Sequence, residues 1–387
     1  MPEEHARLGA SGAYRWMACP PSVKQEEKFP DKESEYAAEG TLAHSMAELI
    51  IRYNNHEFTK KTFSTRMNKL RKEELYGKDM EDYIAEYTNA VWEIFNEAKS
   101  SCPDAQLLAE QRLDFSEYVP DGFGTGDVVI IADDMVQVID LKYGKGVGVS
   151  AIENPQLRLY GIGAYLEHSM LYDIRRVKMT IIQPRLENIS TEELTVEELL
   201  KWAEEEVRPR AELAMAGKGE YQAGEHCRFC KAKAACRARA EHNLELTKLD
   251  FRDPDILEEW EIGEVLQRAN ELNSWVKDVT DYVFDQALNY GKKFEGWKLV
   301  EGRSNRKYAD EGTVSQILTQ AGYDSSEILK EPQLLGITDM TKLLGKKKFE
   351  ELLSGQIIKP KGKPVLVPET DKRPELNTAD SAKEDFE

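Results

Sequence analysis

No apolar stretch in this chain approaches the roughly 20 residues that a membrane-spanning helix needs, so no such helix is expected. The opening segment, MPEEHARLGASGAYRW, lacks a basic run followed by an apolar one. A secretory signal is therefore not expected, and the protein reads as cytosolic. An excess of positive charge is missing too: 52 basic residues face 71 acidic ones, for a net charge of −19. That balance argues against broad, non-specific coating of nucleic acid. It leaves room for a local basic groove, and carboxylates are what a hard cation needs. Cysteine is scarce, with Cys19, Cys102, Cys227, Cys230 and Cys236 as the whole complement. In a cytosolic chain disulfides explain them poorly. Three of the five fall within residues 227–236, a spacing that points to metal.

What is present is enough for a large core. The 387 residues, 41% of them hydrophobic, suit one large domain or two ordinary ones. Residues 1–38 read as loop-rich, 39–53 as a helix, 57–75 as a polar, locally basic and mobile insertion, and 79–100 as an amphipathic helix. Strand patterns follow at 106–115, 126–132 and 135–143, then a helix at 155–168, a strand at 177–183 and a helix at 195–216. That order implies an α/β fold, a mixed sheet flanked by helices. We place a first domain at 1–245 and a helical and mixed region at 246–367. In the latter, 255–289 is a long helix with Trp260, Leu266, Leu272, Trp275, Val279 and Val283 as its buried positions, 296–307 a strand with a basic turn, and 341–353 a short basic helix. Residues 368–387 read as a disordered tail.

The two central strand segments flank Asp133-Asp134, a turn-forming pair. A turn centred there pairs residue i with 267 − i, which sets Asp127 opposite Asp140. Directly opposed residues share a sheet face with Cβ atoms about 5 Å apart. Lys142, two residues on, shares it as well. Facing carboxylates repel each other, and a divalent cation removes that cost. A lysine beside it can orient water or neutralise a phosphate under attack. A solvated strand face with a cross-strand Lys–Asp pair would produce the same pattern. His44 and Glu48 are an i, i+4 pair on one helix face, as are Gln156 and Tyr160 on a helix starting at Asn154-Pro155. Neutral imidazole is a good ligand for Mn²⁺ and similar ions.

In order along the chain, Gly40-x-x-x-His44-x-x-x-Glu48, Gly124-Thr125-Gly126-Asp127, Asp140-Leu141-Lys142 and Gln156-x-x-x-Tyr160 resemble RecB-type nucleases of the PD-(D/E)XK superfamily. The resemblance spans about residues 10–240, and with GWKLVEGRSNRK and the GKPVLVPETDKRPE tail the whole chain resembles a phage and prophage family of RecB-like proteins. It implies a restriction-endonuclease-like fold and a Mg²⁺- or Mn²⁺-dependent DNA nuclease serving phage recombination, with phage recombination proteins as further partners. His44, Asp127, Asp140 and the backbone carbonyl of Leu141 would hold the metal, and Lys142 would be the catalytic lysine. Gln156 and Tyr160 would organise the site and contact DNA. Glu110, on the strand before the hairpin, is a further acidic candidate, although a strand glutamate is more often simply solvated.

Cys227, Cys230 and Cys236 supply three soft ligands, and a tetrahedral or cubane site wants a fourth. Cys19, in a Cys-Pro loop, is the candidate, since Cys102 sits in a solvent-like SSCPD turn. Thiolates alone leave Zn²⁺ and an iron–sulfur cluster both open; the resemblance implies [4Fe–4S], tying residue 19 to residues 227–236. Arg228, Lys231, Lys233, Arg237 and Arg239 around it, and basic runs at 66–72, 303–307 and 346–348, are candidate contacts to DNA backbone, with Trp297, Tyr308 or Phe349 as stacking surfaces. An acidic exterior around a basic channel would favour threading a DNA end, hence an exonuclease. The competing expectations are a DNA-binding recombination module without cleavage and a zinc-stapled interaction protein.

Overall fold

The segments FGTGDVVIIA and MVQVIDL are apolar at consecutive positions, the mark of strands covered on both faces. A computed structural model describes residues 6–30, 35–244, 259–299, 336–353 and 357. In it these segments form β2 (Phe123–Ala132) and β3 (Met135–Leu141), the middle of a five-stranded sheet. The order is β1 (Gln106–Asp114), β2, β3, β4 (Arg176–Gln183), β5 (Asn188–Thr195). All neighbours are antiparallel except β3 and β4, which run parallel and are joined through helix α6. Element numbers follow the chain: α1 (Ala13–Ala18), α2 (Ser22–Glu26), α3 (Glu35–Asn54), α4 (Lys60–Leu70), α5 (Lys78–Ser101), α6 (Pro155–His168), α7 (Val196–Trp202), α8 (Arg208–Ala216), α9 (Arg237–Leu244), α10 (Glu259–Tyr290), α11 (Ile337–Leu344) and α12 (Lys346–Leu353). This is the α/β class that the pattern of segments implies.

The β2–β3 hairpin has the expected register: Val128 faces Ile139 and Ala132 faces Met135, each pair summing to 267. Asp133 turns the chain in the left-handed region (φ 46°), which Asp tolerates better than most residues. The sheet then divides the core in two. Val129, Ile131, Val136, Val138, Met179 and Ile181 pack toward α6 and the N-terminal Trp16. Val128, Ile130, Ile139, Leu141 and Ile182 pack toward α3 and α5. Each side chain of this size, fully buried, contributes about 2 kcal/mol, so both layers are fastened by ordinary hydrophobic burial.

Helix α6 begins where Asn154 caps it, its side chain accepting from the Gln156 and Leu157 amides, with Pro155 at the first position. It lies close to the sheet because Gly163 has no side chain: a Cβ there would sit 2.8 Å from Leu113 Cβ and 3.1 Å from backbone. That close seating brings the start of α6 down onto β3.

Several segments differ from the sequence reading. Residues 57–75 hold the regular helix α4, capped by Thr59 and fastened by buried Met67 and by Phe63 stacked on Tyr53. Its polar composition hid those anchors. The N-terminal 38 residues include α1 and α2, too short for a helical period to show, held by burial of Ala13 and Trp16. Strand β5 was not expected. It is a sheet edge of alternating half-buried and exposed polar residues, placed by cross-strand pairing rather than hydrophobicity. The helix read over 195–216 is α7 and α8 joined by one π-helical turn, Ala203–Val207. The helix read over 341–353 is two helices, α11 and α12, broken at Gly345 (φ 81°). On α10, Leu266 is exposed, whereas Leu272, Trp275, Val279 and Val283 are half-buried. The Trp260 side chain, residues 300–307, the boundary at 245 and the tail lie outside the described residues. No described helix is long and apolar enough to cross a membrane.

Candidate functional site

The sheet is regular except at one place, and there the acidic residues gather. The β1–β2 ladder pairs Ala109 with Val128 and resumes with Gln111 and Gly126, skipping Glu110 and Asp127. Glu110 takes a left-handed conformation (φ 50°), a strain of roughly 1–3 kcal/mol for a residue with a side chain. The β2–β3 ladder also stops short of Asp127, with Val128↔Ile139 as its last pair. The Asp127 carboxylate takes over: Oδ2 accepts from the Leu141 amide at 2.6 Å, and Oδ1 lies 2.9 Å from His44 Nδ1. Asp127 thus reaches to the α3 side of the sheet, where His44 and Glu110 meet it. Ligand atoms of His44, Glu110 and Asp127 all lie within 4.8 Å of one another, the trio among the described residues drawn tightly enough for one ion.

The electrostatics of this cluster are unbalanced. Burial opposes a charge on His44, but the neighbouring Asp127 carboxylate outweighs it and, with Asp140, raises the imidazole pKa to about 9. Burial and the charges of Asp127 and Glu48 push the Glu110 carboxyl up to about 7. The Tyr87 hydroxyl is fully buried beneath the cluster with no hydrogen-bond partner. Glu48 borders the same cleft but pairs with Arg52 at 2.8 Å, so it does not join the trio.

Asp140 stands behind this group, 3% exposed. Burial raises its carboxyl pKa against the opposing pull of Lys142. Lys142 Nζ forms an ion pair with Asp140 Oδ2 at 3.0 Å, and that oxygen is sealed from solvent. Lys142 also donates to Gln156 Oε1 at 2.9 Å. The Gln156 amide nitrogen, with its orientation set by this network, lies 3.3 Å from both Asp140 Oδ1 and the Tyr160 hydroxyl. Gly124 makes room for Tyr160: a Cβ there would sit 2.6 Å from its ring. Leu141 lines the cleft with its amide bound to Asp127. The structure therefore brings His44, Asp127, Asp140, Lys142, Gln156 and Tyr160 to one place in two linked groups. It puts Glu110, which a solvated-strand reading would set aside, inside the tighter group. Only the break in the β1–β2 ladder, invisible in the sequence, aims Glu110 inward; Tyr87 carries no sequence signal beyond a core position on an amphipathic helix.

A second cluster lies on the N-terminal side. Cys19, just past α1, and Cys227, Cys230 and Cys236 line one pocket, all as free thiols. Burial pushes the Cys230 thiol up to about 12 against a hydrogen bond from the Ala232 backbone. The loop is fastened to the N-terminus by Glu26, which pairs with Arg15 at 2.9 Å and accepts from the Lys231 amide at 2.8 Å. His226, a residue the sequence reading passed over, borders the pocket, but its Nε2 is engaged by the Gln222 carbonyl. Cys102 is elsewhere, buried in the α3–α5 core at the end of α5 rather than in a solvent-like turn; the helix end folds it under.

Four of the basic candidates are committed to ion pairs within the protein. Lys233 and Arg239 both pair with Asp278 of α10, at 2.8 and 2.6 Å. Arg71 pairs with Glu81, and Lys346 with Glu86. Phe349 is buried rather than free to stack, because α12 packs on α5; Trp297 is 75% exposed, and Tyr308 and residues 303–307 lie outside the described residues.

Comparison with known proteins finds a family match over residues 5–374, to the family described as "Protein of unknown function (DUF2800)". The chain belongs to that family. A solved structure, "Crystal structure of SSO0001", is 15% identical and is matched over 56% of this chain and 95% of that one, with a TM-score of 0.24, too loose a superposition to bear on fold or function.

Proposed function

We propose that this member of the DUF2800 family is a divalent-metal-dependent deoxyribonuclease acting at strand ends, of the RecB-like PD-(D/E)XK type and phage-derived, with a structural iron–sulfur cluster. The observation that carries the reading is the convergence of His44, Glu110 and Asp127 within 4.8 Å, beside a buried Asp140 paired with Lys142. Carboxylates crowded together at a buried site repel one another, and a hard cation removes that cost. The donor set therefore fits Mg²⁺ or Mn²⁺, held by His44, Glu110, Asp127 and Asp140 with the Leu141 carbonyl. A bound ion would supply Lewis-acid activation of water and of the phosphate. The chain's own groups do the rest. Gln156 holds the Lys142 ammonium next to Asp140, where it can donate to a non-bridging phosphate oxygen as charge develops. Tyr160 and Gln156 fix that lysine's position. His44, 34% exposed in its side chain, stands at the mouth while Asp140 lies behind. A recessed site of this kind suits a threaded strand end, so linear DNA is degraded and closed circular DNA is spared.

The four thiols line one pocket and supply the four soft ligands that either a cluster or a zinc ion takes; the resemblance to RecB-type nucleases favours the cluster. The cluster would join residue 19 to residues 227–236 as a structural tie, which requires a compartment where thiols stay reduced, the cytoplasm. The test is release of nucleotides from end-labelled linear and circular DNA, handled anaerobically, with Mg²⁺ or Mn²⁺. Activity that survives in Asp140→Ala, or equal cleavage of circles, would sink the respective claim. A colourless protein containing stoichiometric zinc would replace the cluster.

A further inference from the structure

A separate cavity of about 570 Å³ opens between α3, α4 and α5, within the range of small-ligand sites. Tyr53 lies nine residues from His44 on α3, about half a turn round the helix, so this cavity faces away from the carboxylate cleft. Its walls are aromatic: Tyr53, Phe58 and Trp92. Tyr53 is steadied by stacking on Phe63 at 4.4 Å, and Phe58 by the Arg66 guanidinium 4.5 Å above its ring. The Trp92 indole nitrogen is buried without a hydrogen-bond partner. The Asn54 and Asn96 carboxamides line the same space, each offering donors and an acceptor. Lys60 supplies positive charge at one end, where α4 begins. Helix α4 carries Lys60, Lys61, Arg66 and Lys69 and no acidic residue, against the chain's net charge of −19.

Each feature narrows the ligand. Aromatic walls favour a flat ring. Two carboxamides favour a ring with hydrogen-bonding edges. The lysine and helix start favour an attached anion. An aliphatic acid would leave the rings unused, and a lipid the amides. We infer that this cavity binds one nucleoside phosphate unit, its base between the aromatic walls and its phosphate at Lys60. The unit is either a free mononucleotide or an unstacked residue of a single strand. The inference does not depend on cleavage at the carboxylate cleft.

Calorimetric titration of the full-length protein in EDTA, with dAMP, with dTMP and with a short oligothymidylate, tests it while the carboxylate chemistry is silent. Saturable binding of a mononucleotide identifies a free-nucleotide pocket; binding of the oligomer alone identifies a strand subsite. In either case Asn96→Ala, which removes a carboxamide from the cavity wall, should weaken binding about threefold or more. Lys60→Glu should weaken it about tenfold, and Asp140→Ala should leave it unchanged. Absence of binding by all three ligands would overturn the inference. So would insensitivity to Asn96→Ala and Lys60→Glu, an equal loss in Lys69→Glu (same helix, outside the cavity), or loss of binding in Asp140→Ala.

Discussion

The carboxylate cleft and the thiol pocket are built on opposite principles. The cleft crowds ionisable groups until they couple: His44 is held cationic by Asp127, Glu110 is pushed toward neutrality, and Lys142 sits against a buried Asp140. The thiol pocket carries little charge coupling: burial pushes the Cys230 thiol up to about 12. The cleft balances its charges internally, with the His44 imidazole and the Lys142 ammonium set against its carboxylates. One cluster is thus organised by charge, the other by burial and by the fold that brings Cys19 to residues 227–236.

That contrast can be broken most sharply by asking whether the two sites fail independently. Asp127→Ala, Asp140→Ala and Lys142→Ala should each lower nucleotide release by about a thousandfold or more, with visible absorbance and circular dichroism unchanged. Loss of colour along with activity would mean that the two sites are one unit. The converse variant, Cys19→Ser, should bleach the protein and lower its thermal midpoint, because binding energy at a metal site built on folding is folding energy. The midpoint should stay near the wild-type value in Asp140→Ala.

Smaller changes sharpen the picture inside the cleft. If Glu110 shares the ion, Glu110→Gln should weaken Mn²⁺ dependence by about ten- to a hundredfold, read as the metal concentration for half-maximal activity. Glu48→Gln, whose carboxylate pairs with Arg52 instead, should move it far less. Equal effects would return Glu110 to the solvated role first weighed for it. Gly124→Ala should destabilise by about 1–3 kcal/mol by driving a methyl into the Tyr160 ring, measured by denaturant midpoint. The smallest effect lies at the edge of the thiol pocket. Burial raises the Asp278 carboxyl, but hydrogen bonds from Lys233 and Arg239 outweigh that and hold it below its usual range. A depressed carboxyl contributes stability above the unfolded value of about 3.9 that is lost as pH falls through the folded value. Amide protection factors in α9, taken relative to the intrinsic exchange rate at each pH, should therefore fall on acidification below about pH 4. Asp278→Asn should show the lower protection already at neutral pH.

Much of this architecture is legible in residue order. The alternating and continuous apolar runs predict β1 through β4, and the Asp133-Asp134 turn predicts the 267 − i register that the hairpin adopts. The Asn154-Pro155 start predicts α6, whose i, i+4 spacing does set Gln156 beside Tyr160. Grouping Cys19 with the three later cysteines likewise agrees with the pocket they line. The parts that could not be read share one cause. β5, α1 and α4 have little hydrophobic period of their own and take their form from what they pack against.

Sequence alone therefore determined which chemical groups are available and which neighbours along a strand or helix share a face, because those follow from backbone periodicity. Tertiary structure decided which groups meet. A break in the β1–β2 ladder at Glu110 and Asp127 and the early end of the β2–β3 ladder turn Asp127 away from the face that its parity assigns and bring it to His44. No period of 2 or 3.6 encodes that choice. It depends on where the hydrogen-bond ladder gives out and which buried acid is left to complete it.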